Sequence, residues 1–93
     1  MKTETFILET SAHRITATIS DDEVALTCEP PIDVLALTNA ETCDLFHWTE
    51  QDVLDRYYKN PSDVTITMPP ALRDWLYGDD RPWLKEWERR QQR

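Results

Sequence analysis

A small α+β fold is what this sequence predicts: an antiparallel sheet, begun by an N-terminal three-stranded meander and joined by later strands, with two or three short helices over one face. Three observations carry that expectation. Apolar side chains alternate with threonines through residues 5–29, the period of strands with one buried face. From Thr49 onward the apolar residues recur at three and four, the period of helices. Within that second part, residues 63–78 return to the strand period and then switch to the helical one across a pair of prolines. The 93 residues suffice for one domain, 1–93, with one modest core, and the apolar content of 40% is that of a globular chain.

The meander reads directly. Phe6 and Leu8 alternate with Thr5, Ile7 and Glu9, and Thr10-Ser11 supply turn material. Ile15, Ala17 and Ile19 form the next apolar row, and Ser20-Asp21-Asp22 is a turn because these side chains bond their own backbone. Val24, Leu26 and Cys28 form the third. Short links between alternating runs predict antiparallel hairpins. Glu29-Pro30-Pro31 ends the third strand, and the apolar run Ile32 to Leu37 is read as a further strand.

Helical signals follow. Thr38-Asn39 is placed to cap a short turn through Leu45-Phe46. Thr49 reads as an N-cap, with Asp52 at the third helical position and Trp48 and Val53 at the two positions of a hydrophobic staple. Val53, Leu54, Tyr57 and Tyr58 form its apolar stripe, and Asn60-Pro61 stops it. Val64, Ile66 and Met68 then alternate with Thr65 and Thr67. Pro69 and Pro70 end that strand, since neither can donate to a ladder, and are tolerated in the first turn of a helix. Leu72, Trp75 and Leu76 are that helix's apolar side, and Gly78 is expected to close it in the left-handed conformation. Asp80 is expected to cap the last helix, with Pro82 in its first turn and Trp83, Leu84 and Trp87 on one side. Glu86 and Arg90 stand four apart there, a pairing worth about 0.3 kcal/mol.

Charge is the strongest global signal. The net charge is −8, and residues 1–60 hold twelve of the eighteen acids against four of the ten bases. An acidic front repels nucleic acid phosphates and attracts basic protein surfaces. A single glycine leaves no room for glycine-rich phosphate loops or nucleophile elbows. Cys43 and His47 are four apart, a spacing that places thiol and imidazole on one helical face, but paired short ligand spacings of the zinc type are absent from the sequence. No metal and no cofactor is therefore expected. The cysteines are expected as free thiols of a cytoplasmic protein: no apolar run reaches the roughly 20 residues of a membrane span, and Met-Lys-Thr-Glu-Thr-Phe lacks a signal-peptide core.

These observations predict a non-enzymatic interaction module, monomeric or homodimeric. It would inhibit or regulate by occupying the basic surface of a nucleic-acid-handling protein, without touching nucleic acid or membrane itself. In size and charge it is comparable to anti-restriction and anti-CRISPR inhibitors of phages and mobile elements, an analogy in those two properties alone. The residues expected to contact the partner are Asp44, Glu50, Asp52 and Asp55, which fall around the Thr49 helix, and Trp83 and Trp87 in the tail, because tryptophan is enriched in interface hot spots.

One stretch points elsewhere. Val64-Thr-Ile-Thr-Met-Pro-Pro-Ala-Leu-Arg-Asp-Trp-Leu76 resembles the start of a ribbon-helix-helix DNA-binding domain, in which an alternating strand enters a proline-led helix. The resemblance implies a transcriptional regulator using residues 63–93, with strands of two chains paired and Thr65 and Thr67 facing the bases. Asp79 and Asp80 depart from the pattern, since they occupy the turn where a phosphate would dock.

Overall fold

The computed structural model describes residues 3–92. Four strands, β1 (Glu4–Glu9), β2 (Arg14–Ile19), β3 (Glu23–Glu29) and β4 (Thr65–Thr67), form one sheet in the order β1-β2-β3-β4. The first three are the antiparallel meander that the alternating pattern predicts, with Phe6 opposite Ala17 and Ala17 opposite Leu26. β4 is a departure: it runs parallel to β3, with Val24 opposite Ile66. The sheet is therefore mixed, because the chain returns to β3 by a long crossover, which is what parallel pairing requires.

That crossover is mostly helix. α1 (Asn39–His47) passes without a break into a π-helical stretch, Trp48–Leu54, and then into α2 (Asp55–Tyr57). The start is fixed by a full capping box: the Thr38 hydroxyl accepts from the Glu41 amide at 3.0 Å, and the Glu41 carboxylate accepts from the Thr38 amide at 3.1 Å. Thr49 is consequently not an N-cap, and Trp48 and Val53 form no staple. Thr49 lies buried in mid-helix, and its hydroxyl donates to the Leu45 carbonyl at 3.0 Å. Such back-bonding competes for the carbonyl that the regular ladder uses. The π-helical register begins beside it, with the Asp55 amide reaching back to the Glu50 carbonyl.

Three other expectations change. Residues 32–37 are not a strand but a loop with a single 3-10 turn, Val34–Ala36, in which the Asp33 side chain accepts from the Leu35 amide at 3.2 Å. Captured by that side chain, the amide is lost to any ladder, and the prolines before it supply none. Gly78 follows α3 (Pro70–Tyr77) with φ −76° and ψ −178°, which is extended rather than left-handed. Glycine is needed there for space, since a Cβ would stand 2.3 Å from the Asp74 carbonyl oxygen. Asp80 does not cap the last helix: α4 runs Leu84–Gln91 after a turn at Pro82 and Trp83, with the Leu84 amide bonded to the Arg81 carbonyl at 3.0 Å.

One core joins sheet and helices. Ile15, Ala17, Ile19, Val24 and Leu26 face Leu37, Cys43, Leu45, Val53, Leu54, Leu72, Leu76 and Trp83. Each fully buried aliphatic side chain contributes about 1.5–3 kcal/mol before entropy is counted. The opposite sheet face carries Thr5, Ile7, Thr27, Thr65 and Thr67, all exposed. The shortest dimension is 22 Å, room for one helix layer of about 10 Å and the sheet with its side chains, so that threonine face is bare. No helix among the described residues is long and apolar enough to cross a membrane.

Candidate functional site

Five of the six residues expected at a partner contact fall into three environments. Asp44 is exposed on α1 and accepts from Arg90 of α4 at 2.8 Å, so its charge is partly neutralised. Trp87 lies beside it, half-buried, edge-on to Phe46 at 5.0 Å between ring centroids and 6.4 Å from the His47 ring. Glu50, half-buried in the π-helical stretch, accepts from the Tyr77 hydroxyl at 2.5 Å. Burial first, and then this carboxylate, push the Tyr77 phenol well above its ordinary range. Asp52 and Asp55 are exposed and enter no ion pair among the described residues.

Trp83 belongs to none of these. It is 0% exposed, its indole N–H donates to the Trp75 carbonyl at 2.6 Å, and its ring packs on Phe46 at 5.1 Å. The expectation that it touches a partner gives way to a core role: burying the ring and pairing its N–H leave nothing to present.

The Cys43 and His47 side chains do not form a working pair. Cys43 is buried and its thiol donates to the Trp83 carbonyl at 3.6 Å, while burial raises its pKa and makes the thiolate scarcer. His47 is exposed. Cys28 and Cys43 are both free thiols. Among the described residues, no three of His, Cys, Asp and Glu converge as metal ligands.

The structure also builds a corner around the Ser20-Asp21-Asp22 turn. The β2–β3 turn carries Asp21 and Asp22, with Glu23 opening β3, and the end of the helical crossover docks on it: the Tyr58 hydroxyl donates to the Ser20 carbonyl at 2.5 Å and stands 3.3 Å from that of Glu23. Glu4 enters the same corner as the cross-strand neighbour of Ile19. Asp63 precedes β4 nearby, and the Thr65 amide donates to the Asp22 carbonyl at 2.9 Å. The Tyr57 ring rests on Phe6 at 5.0 Å. Contacts across 38 residues leave no local pattern, and the only sequence signal for this corner was the Tyr57-Tyr58 pair at the foot of a helix.

β4 and α3 do form the strand and proline-led helix of the ribbon-helix-helix resemblance, with Thr65 and Thr67 exposed. However, β4 pairs with β3 of its own chain, and the Arg73 guanidinium donates to its Ile66 carbonyl at 2.9 Å. No known family, curated protein or solved structure matches the chain.

Proposed function

We propose that the protein is a non-enzymatic acidic interaction module of the cytoplasm that occupies the basic surface of a nucleic-acid-handling protein and so inhibits or regulates it. The observation that carries this reading is how little of the acidity is spent internally. Among the described residues, ion pairs engage only Glu9, Asp44 and Glu86 of the eighteen acids. The exposed carboxylates of Asp52 and Asp55 on the rod, and of Asp21 and Asp22 at the sheet end, are left to act outward. Unpaired charge on a rigid frame steers a basic partner and excludes competing phosphates. Trp87, half-buried against Phe46 and His47 on the helix whose Arg90 pairs with Asp44, would supply an apolar contact.

Affinity capture from the native cell, followed by titration of the captured partner, tests the reading. Asp52→Lys with Asp55→Lys should slow association and flatten its salt dependence while the melting temperature holds, because exposed charge changes cost within about 0.5 kcal/mol. Unchanged affinity and salt dependence would reduce the acidity to a solubility device. A sequence-specific duplex DNA complex, lost on changing Thr65 and Thr67, would instead establish the DNA-binding alternative.

A further inference from the structure

We propose that the corner between the β2–β3 turn and the end of the helical rod is a receptor for a single arginine side chain of a protein partner. This rests on the acidic-module reading and locates its central contact. The corner holds a cleft of about 190 Å³ lined by Glu4, Ile19, Ser20, Asp21, Tyr57 and Tyr58. It is smaller than the roughly 300 Å³ at which pockets for drug-sized molecules begin, and suits one long side chain.

The lining matches arginine part by part. Ile19 is buried beneath the cleft and offers an apolar surface to an aliphatic stem. Tyr57 and Tyr58 offer aromatic rings, on which a planar guanidinium stacks better than a compact ammonium. The guanidinium carbon of the chain's own Arg56 stands 5.8 Å from the centroid of the Tyr57 ring, a contact of the same kind. Glu4 and Asp21 are exposed at the rim and in no ion pair among the described residues. The helix ends at Tyr57, so the negative end of its dipole faces the same corner. Burial first, and then Asp21 and Asp22, push the Tyr58 phenol up.

The cleft is also preformed. Tyr58 is pinned to the Ser20 carbonyl and Tyr57 is packed on Phe6, so a guest has little to organise on arrival.

The test uses the isotope-labelled whole chain and three short capped peptides, Gly-Arg-Gly, Gly-Lys-Gly and Gly-citrulline-Gly, followed by amide chemical shifts. The arginine peptide should give saturable shifts confined to residues 4, 19–22 and 57–58. Citrulline, which keeps the shape and loses the charge, should bind at least about tenfold more weakly, and lysine should fall between. Glu4→Gln with Asp21→Asn should abolish saturation while leaving the remaining spectrum in place. Shifts spread over the whole acidic surface, equal for lysine and arginine, or no shifts at all, would overturn the cleft. If a captured partner is released by the Asp52 and Asp55 reversals but not by the Glu4 and Asp21 changes, the cleft fails and the acidic module stands. If the arginine peptide binds as stated but those reversals leave the partner's affinity unchanged, the cleft stands and the module fails.

Discussion

Replacing Trp83 by alanine separates a core tail from an interface tail. The side chain is 0% exposed and joins three elements: it packs on Phe46 of α1, donates its indole N–H to the Trp75 carbonyl of α3, and leads into α4. Truncating a buried tryptophan costs about 3–5 kcal/mol, transfer and cavity terms together. A chain of 93 residues has a total stability of about 5–14 kcal/mol, so this one change removes between about a fifth and all of it. The melting temperature should fall by at least about 12 °C, at roughly 4–8 °C per kcal/mol for a domain of this size. Trp83→Phe keeps an aromatic ring but removes the indole N–H, stranding the Trp75 carbonyl at a cost of about 1–3 kcal/mol in addition to that of a smaller cavity. Urea and thermal unfolding followed by circular dichroism measure both. Leu35→Ala is the control, since Leu35 is 85% exposed and its loss should stay within about 0.5 kcal/mol. A Trp83→Ala variant as stable as that control would refute the placement of the tail and return Trp83 to the surface.

Two further outcomes test the frame. The Glu41 carboxyl is drawn down to about 2, first by the Ser11 hydroxyl, then by the amides of Ser11 and Thr38. A depressed carboxyl stabilises above its unfolded value of about 4.3 and loses that contribution as pH falls toward the folded value. Glu41→Ala should therefore lower the melting temperature at neutral pH, because it removes the acceptor of the Ser11 hydroxyl and of the Ser11 and Thr38 amides. The gap should narrow between about pH 4.3 and 2, and a gap constant with pH would deny the carboxylate its role. Burial raises the thiols of both cysteines and encloses Cys43 completely. An aromatic disulfide reagent should react slowly with Cys28 in the native chain and reach Cys43 only on unfolding; equal native rates would show the α1 face to be open.

The parts of the fold legible in the sequence are those whose cause is local. The meander is written in the alternation of Ile15, Ala17, Ile19, Val24 and Leu26, and the start of α3 in Pro69-Pro70. Thr49 misled because an N-cap and a back-bonded mid-helix threonine have the same local sequence, and only the helix already running from Thr38 decides between them. Gly78 misled for a related reason: its need is the Asp74 carbonyl beside it, not a special dihedral angle. The direction of β4 was illegible because parallel and antiparallel pairing leave the same alternation in three residues. Asp52 and Asp55 could be read as outward, whereas Trp83 and Trp87, alike in sequence, differ only by which one the fold encloses.

The length of the helical rod follows from what it must reach. At its start Glu41 accepts from the Ser11 amide and hydroxyl in the β1–β2 turn, and at its end Tyr58 donates to Ser20 in the β2–β3 turn. These turns stand at opposite ends of β2, and residues 11–20 in extended form span about 30 Å at roughly 3.3 Å per residue. Residues 41–58 as a helix span about 26 Å at roughly 1.5 Å per residue, and the two side chains close the difference. A helix that began at Thr49 would reach only one of the turns. Running through Thr49 is thus the condition for clamping the rod along the meander, and the π-helical stretch lies within the span that the two clamps fix. The same clamp ties the foot of the rod segment that carries Asp52 and Asp55 to the β2–β3 turn that carries Asp21 and Asp22, so that in the proposed module carboxylates far apart in the chain would act as one field.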